Sequence, residues 1–249
     1  MNNNKAISLA IIIPCFNEAN RLPVMAYQTF MEQQKEVSLF FVNDGSNDNT
    51  ADALRKMVAS YSSQAHVLDL PQNVGKAEAV RYGFLYTQSH FEHKQLAYLD
   101  ADLSTTLEEA FLLSQQINAN TSFVFGSRIS KDDNFIARKW YRYLIGRTIA
   151  TVISKMLGMA VYDTQCGCKI FDSSIVPTAF ADAFTSRWLF DVEIFYRLKN
   201  HLGKTEFLQK SKEIPLQQWI DKGDSRVKMS YMFRLWIDLY MIFNRYHKK

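Results

Sequence analysis

The chain has 249 residues, 47% of them apolar and 22% charged, with a net charge of +4. That length and balance exclude a disordered chain and leave one large α/β domain or two small ones. The weak positive charge, with aromatics that follow no base-stacking pattern, argues against nucleic acid and fits anionic small molecules or an anionic membrane surface.

Residues 9–15 form an unbroken isoleucine-rich run, which predicts a strand buried on both faces of a parallel sheet. A helix through 26–34 follows, then a strand over 37–42. Asp48 or Asn49 can cap a helix running through Met57 and Tyr61. Residues 67–70 read as a third strand, 76–89 as a helix and 95–99 as a fourth strand. Thr105 with Glu108, or Thr106 with Glu109, offers a capping box to the next helix. Residues 122–125 are a fifth strand ending at Gly126, which completes a β-α-β-α, doubly wound pattern.

The second half is less regular. Residues 140–158 have a helical period, with Ile145, Ile149, Val152, Ile153 and Met156 on one face and Arg147, Thr151, Ser154 and Lys155 on the other. A last helix over 229–246 sets a narrow polar stripe of Arg234, Asp238 and Arg245 against a wide apolar arc around Trp236, Ile237, Leu239 and Tyr240. The first helix has two candidate partners, its own domain or a membrane surface, and the last has three: the chain's own core, a second copy in a homo-oligomer, or lipid. Cys15, Cys166 and Cys168 give no disulfide framework, and Cys166-x-Cys168 finds no second Cys/His pair at ligand spacing, so a reducing cytoplasm is expected. No targeting signal is read at the start, and no stretch approaches the ~20 apolar residues of a bilayer span.

The strand ends carry the chemistry. In an open α/β sheet, ligands bind beyond the carboxyl ends of the strands. Polar residues gather there: Asn17 and Glu18, then Asn43 to Ser46, then Asn73, Gly75 and Lys76, then Asp100 and Asp102, then Ser127 and Arg128. Each cluster alone is ordinary turn chemistry; five on one edge describe a nucleotide-type site. Asp100-Ala101-Asp102 puts two carboxylates one residue apart where a strand runs out. Oxygen-only ligands of this kind suit a hard divalent cation, which suits a diphosphate. The alternative is a turn in which one aspartate caps the next helix.

Seven motifs, in order, resemble a known family. They are Ile11-Ile12-Ile13-Pro14-Cys15-Phe16-Asn17-Glu18, Phe41-Val42-Asn43-Asp44-Gly45-Ser46, Asn73-Val74-Gly75-Lys76, Tyr98-Leu99-Asp100-Ala101-Asp102-Leu103, Gly126-Ser127-Arg128, Asp163-Thr164-Gln165-Cys166-Gly167-Cys168-Lys169 and Trp188-Leu189-Phe190-Asp191-Val192-Glu193. The chain is similar to the family 2 glycosyltransferases of the GT-A fold, a Rossmann-like, mostly parallel sheet flanked by helices. Within them it looks most like the dolichyl- and polyprenyl-phosphate glucosyl- and mannosyltransferases. The similarity runs over roughly residues 6 to 228. This makes 1–228 the expected catalytic domain, and 229–249 an amphipathic helix of the same domain or a membrane or oligomer contact.

The resemblance implies roles residue by residue. Pro14, Asn17, Glu18 and Ser46 belong to nucleotide-contacting loops, Asp44 accepts from a uracil or guanine N–H, and Lys76 holds the base or the diphosphate. Asp100, Ala101 and Asp102 meet the donor, with Asp100 and Asp102 the pair for Mg²⁺ or Mn²⁺ and Asp102 its direct ligand. Gly126, Ser127, Arg128, Arg147, Trp188 and Glu193 line the sugar and acceptor region. Asp191 is the candidate base, and Arg138, Lys139 and Arg187 are further cations for a phosphate. Ser225 and Lys228, in a closing loop, touch the diphosphate.

The implied activity is an inverting, metal-dependent transfer of one sugar, from a UDP-hexose, to a polyprenyl phosphate. The implied place is the cytoplasm, peripheral on the inner face of the plasma membrane. A glycan or other hydroxyl compound is the alternative acceptor. A sugar-nucleotide pyrophosphorylase would need a glycine-rich basic loop where Pro14-Cys15-Phe16-Asn17-Glu18 stands, and a non-catalytic relative would bind UDP without turnover. Gln217-Gln218-Trp219 resembles the lid motif of processive members, but no arginine precedes Trp219, which speaks against a polymerising synthase.

Overall fold

Apolar runs become strands in the first hundred residues of the computed structural model, which describes residues 7–129, 134–137, 140–220 and 231–247. The chain runs through β1 (Ile7–Cys15), α1 (Val24–Gln33), β2 (Val37–Asn43), α2 (Thr50–Val58), β3 (Ala65–Asp69), α3 (Lys76–His90), β4 (His93–Leu99) and α4 (Leu107–Ser114). The strands pair in parallel in the order β3-β2-β1-β4, with Ile12 facing Phe40 on one side and Tyr98 on the other. Cys15 lies level with Asn43, and Asn43 with Asp69. The carboxyl ends therefore share one edge, as successive right-handed crossovers require. Gly83 lets α3 press onto the sheet, because a Cβ there would stand 2.5 Å from Cγ2 of Ile12.

The second half departs from the doubly wound pattern. It runs through β5 (Phe123–Ser127), β6 (Phe135–Ala137), α5 (Trp140–Leu157), β7 (Cys168–Asp172), α6 (Val176–Phe180), α7 (Phe190–Leu202), α8 (Lys204–Lys210), β8 (Ser211–Pro215), β9 (Gln218–Ile220) and α9 (Tyr231–His247). β5 does not pair with β4: β7 lies between them, antiparallel to both, and β8 adds in parallel beyond β5. β6 and β9 make a separate parallel pair.

Both faces of the sheet are covered. One layer packs Ile11, Ile13, Leu39 and Phe41 against Tyr27 and Phe30 of α1 and Leu113 of α4. The other packs Ile12, Phe40 and Phe123 against Phe84, Phe180 and Phe195 of α3, α6 and α7. Each such side chain, fully buried, contributes roughly 1.5–3 kcal/mol.

Three local expectations need correction. Thr106, not Thr105, caps α4, accepting from the Glu109 N–H at 3.2 Å. The box closes on one side only, since Glu109 Oε1 instead accepts from the Gln217 and Gln218 N–H groups. Asn49, at the N-cap position of α2, makes no side-chain capping bond; Asp48, one residue earlier, instead accepts from the Thr50 N–H, the first of the helix, at 3.0 Å. Asp238, assigned to the polar stripe of the last helix, is buried and accepts from the Ser186 hydroxyl at 2.6 Å.

Leu235, Leu239 and Ile242 of α9 enter the core, while Trp236, Ile237 and Tyr240 are 48%, 58% and 67% exposed. α9 lies alongside α7, with Asp238 at Ser186 and Tyr246 at Arg197. Its first turns thus reach past the Asp191 end of α7. Among the described residues no helix is long and apolar enough to cross a membrane.

Candidate active site

The loops after β1, β2 and β3 are sewn into one rim by their own polar groups. The Asn17 N–H donates to Ser46 Oγ at 3.0 Å, and the Asn47 N–H donates back to Asn17 Oδ1 at 2.9 Å. The Glu18 N–H donates to Thr50 Oγ1 at 2.7 Å. Asn17 takes the left-handed φ of 51°, which asparagine tolerates. The predicted nucleotide residues Asn17, Glu18 and Ser46 therefore meet, and Pro14 ends the strand beneath them.

Asp44 organises the next part of the rim. Its carboxylate accepts from Asn73 Nδ2 at 2.9 Å, the Val74 N–H at 2.7 Å and the Gly75 N–H at 3.0 Å. Burial raises its pKa above the usual carboxylate value, opposed by the bonds from Val74 and Gly75 and by the charge of Arg187. Gly45 is required beside it, since its φ is 59° and a Cβ would stand 2.5 Å from the Asn73 nitrogen. Asp44 thus holds the 73–75 loop, which aims the start of α3, and Lys76 with it, at the ends of β1 and β4.

Lys76 meets the Asp-x-Asp pair. Its Nζ lies 2.5 Å from Asp100 Oδ1. Burial lowers the Lys76 pKa, but Asp100, Asp191 and Asp102 together hold it above the usual lysine value. Asp102 Oδ1 accepts from the Ser104 N–H at 2.9 Å, and its Oδ2 lies 3.8 Å from Arg21, which also approaches Glu18. The turn is braced from below by the buried Tyr27 hydroxyl, which donates to the Ala101 carbonyl at 3.0 Å. Leu103 follows with φ 51°, a conformation costing a non-glycine residue roughly 1–2 kcal/mol. The chain tolerates this bend directly after Asp102.

The residues present suit a hard cation. Both aspartates are partly exposed and offer only oxygen. Gly167 leaves the room that the Asp100 carboxyl fills, for a Cβ there would stand 2.6 Å from Asp100 Cγ. Among the described residues no group of three or more His, Cys, Asp or Glu side chains could hold a metal ion. Two protein carboxylates plus substrate oxygens are the donor set that Mg²⁺-type sites use. Cys166 and Cys168 take no part as thiolates, since burial pushes the Cys166 thiol up to about 12 and the Cys168 thiol well above its usual value.

Beyond β5 stands Arg128. Asp163 grips it at Nε (2.6 Å), at Nη2 (2.9 Å) and at its backbone N–H (3.2 Å). Asp163 and Tyr162 are in turn held by Glu213 through their N–H groups. Beside this pair the buried hydroxyls of Ser127 and Thr164 have no hydrogen-bond partner among the described residues. Arg147 stands further along α5, stacked 3.7 Å over Tyr162 and donating to its carbonyl.

α7 and the loop before it carry the remaining predicted residues. Asp191, in its first turn, accepts from the Tyr98 hydroxyl and pairs through Oδ1 with Lys169 at 2.7 Å. Trp188 precedes it. Arg187 packs along Gly75, its Cδ 3.1 Å from where a Cβ would sit. Glu193 is fully buried, unlike a ligand-lining residue: its Oε1 accepts from the Thr185 and Ser186 N–H groups and its Oε2 from the Tyr246 hydroxyl. It fastens the loop carrying Arg187 and Trp188 to α9. Arg138, Lys139, Ser225 and Lys228 lie outside the described residues.

The sequence did not single out Tyr27, Arg21 or Asp163 for a role. A tyrosine on the buried face of α1 and an arginine three residues after Glu18 carry no motif. Asp163 opens a motif, but its partner is 35 positions away.

Comparison with known proteins places this edge in context. The sequence model described as "Glycosyl transferase family 2" matches residues 10–178. The dolichyl-phosphate beta-glucosyltransferase ALG5D of Trichomonas vaginalis is 30% identical over 95% of this chain and 73% of its own. The human dolichyl-phosphate beta-glucosyltransferase is 26% identical over 92% of this chain and 77% of its own. Glucosyl-3-phosphoglycerate synthase from Mycobacterium tuberculosis, in complex with Mn²⁺, UDP and glucosyl-3-phosphoglycerate, aligns with a TM-score of 0.68 at 15% identity. That alignment covers 95% of this chain and 80% of the synthase, and it shows a shared GT-A fold. The family match runs from Ala10 within β1 through β7, with the rim built on these strands, and it shows that this chain belongs to the family 2 glycosyltransferases.

Proposed function

We propose that the enzyme transfers a hexose, glucose, from a UDP-sugar to the phosphate of a polyprenyl phosphate of the dolichyl type, with inversion and with Mg²⁺ or Mn²⁺. The observation that carries the donor half is the meeting of Asp100, Asp102 and Lys76 beyond β4, beneath the rim held by Asp44. The acceptor half is supported by relatives named for dolichyl phosphate along almost the whole chain.

When bound, the cation would neutralise charge developing on the departing diphosphate. The chain's own groups do the rest. Lys76 adds a positive charge beside Asp100, and the Asn17, Asp44 and Ser46 loops receive the nucleoside. Arg128, immobilised by Asp163, is a fixed positive charge for the acceptor phosphate. A phosphate oxygen then attacks the anomeric carbon as the bond to the diphosphate breaks. Such a phosphate is already largely anionic near neutral pH, so little proton removal is needed. A hydroxyl acceptor is favoured by one observation only: Asp191 Oδ2 accepts no hydrogen bond among the described residues and is free to take a proton.

Incubating the enzyme with UDP- and GDP-hexoses, either metal, and short-chain polyprenyl phosphate or phosphoglycerate decides between them. Lipid-linked glucose from UDP-glucose supports the proposal. Product with hydroxyl acceptors alone overturns its acceptor half.

Two further outcomes follow from the same reading. Gly167→Ala is expected to weaken Mn²⁺-dependent UDP binding roughly tenfold by displacing the Asp100 carboxylate, with metal-free UDP binding unchanged in calorimetry. The exposed Trp236, Ile237 and Tyr240, with the exposed Arg234 on the same helix, would form a lipid-facing surface. Trp236→Ser with Tyr240→Ser should lower sedimentation with anionic vesicles roughly tenfold while UDP binding holds. Unchanged sedimentation would remove the membrane contact.

A further inference from the structure

Lys169 is the least expected side chain in the sheet. It stands on β7 between Tyr98 of β4 and Phe125 of β5, and it is completely buried. Its ammonium uses all three donors: the Tyr98 hydroxyl at 2.9 Å, the Cys166 carbonyl at 2.8 Å and Asp191 Oδ1 at 2.7 Å. The Tyr98 hydroxyl donates to that same Oδ1. One carboxylate oxygen is thus held twice from the sheet side, and the other holds no bond among the described residues.

Strength alone does not explain this arrangement. A buried ion pair is often no more stabilising than apolar residues of the same volume. Phe84, Phe171 and Phe180 show that this layer of the core fills readily with apolar groups. What the network adds is geometry. α7 begins at Phe190, so Asp191 sits on a helix end whose caps make no side-chain bond. Lys169 and Tyr98, from two central strands, fix its χ angles there. They do so next to Lys76, whose ammonium lies 5.9 Å from the centre of the Tyr98 ring and 2.5 Å from Asp100 Oδ1.

We propose that Lys169 and Tyr98 are positioning residues for the transfer step, clamping Asp191 Oδ1 so that Oδ2 is presented to the acceptor side of the donor sugar. This rests on Asp191 lying at the reacting atoms. It does not depend on the acceptor being a lipid, because Oδ2 can accept from an O–H of the donor sugar, of a hydroxyl acceptor or of a singly protonated phosphate.

The test compares Tyr98→Phe, Lys169→Met, Asp191→Asn and the Tyr98→Phe/Asp191→Asn double variant in the full chain. Turnover is read both as transfer and as metal-dependent hydrolysis of UDP-glucose, and UDP affinity by calorimetry. Tyr98→Phe keeps the Lys169–Asp191 pair, so it remains informative if Lys169→Met does not fold. The expected result for Tyr98→Phe is a loss of about tenfold in kcat, the scale of one charge-assisted hydrogen bond, with KM for donor and UDP affinity within about twofold. Asp191→Asn should lose about tenfold or more with a phosphate acceptor and about a hundredfold with a hydroxyl acceptor, and the double variant no more than Asp191→Asn alone, because the clamp acts through that one carboxylate. Losses that multiply in the double variant, or full turnover in Tyr98→Phe, would overturn the clamp. Full turnover in Asp191→Asn would overturn it by removing Asp191 from the reacting atoms. Absence of lipid-linked product with hydrolysis intact would sink the acceptor assignment and leave the clamp standing.

Discussion

Asp102→Asn is expected to lower sugar transfer by about a thousandfold or more, the scale of losing a preorganised charge at a leaving group. The two aspartates are not equivalent. Asp100 Oδ1 is engaged by Lys76 at 2.5 Å, whereas among the described residues Asp102 Oδ2 has only Arg21 near it, at 3.8 Å. Asp102 is therefore the carboxylate with an oxygen ready for a cation. The asparagine keeps the Oδ1 acceptor for the Ser104 N–H, so the turn itself should survive.

The readout separates metal from nucleotide. UDP titrated with Mn²⁺ should lose its metal-dependent gain in affinity in the variant. UDP titrated with chelator should bind both proteins alike, because the Asn17, Asp44 and Ser46 rim is intact. Equal metal-dependent binding in both would overturn the assignment. Asp100→Asn should behave differently. It leaves the Lys76 ammonium short of its nearest partner, so its effect on turnover should come with a loss of stability that Asp102→Asn does not show.

The sequence makes some of this legible and hides the rest for identifiable reasons. β1 and β2 are apolar runs buried on both faces, and β3 and β4 carry shorter apolar stretches, so composition finds them, and the strand-end rule then finds Asp44, Lys76, Asp100 and Asp102. β7 escapes because Lys169 interrupts an apolar run that Cys-Gly-Cys already makes short, and a buried charge is the rarest thing a sequence reading assumes. Asp238 is misassigned for the same reason, its partner Ser186 being 52 residues away. Glu193 is named by its motif, yet its carboxylate fastens a loop rather than lining the cleft. In each case the missing information is a long-range partner. Periodicity reports which face a residue occupies, not which polar group waits there.

The largest expected effect on stability is at Asp163. Asp163→Ala should cost about 3–5 kcal/mol, because it leaves the mostly buried Arg128 guanidinium without a counter-charge. It also strips an acceptor from the Arg128 and Gln165 N–H groups. Acid should do less than the mutation. Burial alone would raise the Asp163 pKa, but Arg128 overrides it and pulls the carboxyl from 3.8 to about 2. A depressed carboxyl contributes stability that is present above its unfolded value and is lost as pH falls through the folded one. The fall from 3.8 to about 2 corresponds to about 2 kcal/mol, lost between pH 4 and about pH 2. Protonation is milder than deletion because a neutral carboxyl still accepts from Arg128, whereas alanine offers nothing. Urea unfolding of both proteins from pH 7 down to pH 2 checks this: the gap between them should narrow by about 2 kcal/mol without closing. A gap that stays constant across that range would show that Asp163 stabilises the loop through its neutral contacts, and that the charge of Arg128 is balanced by something else.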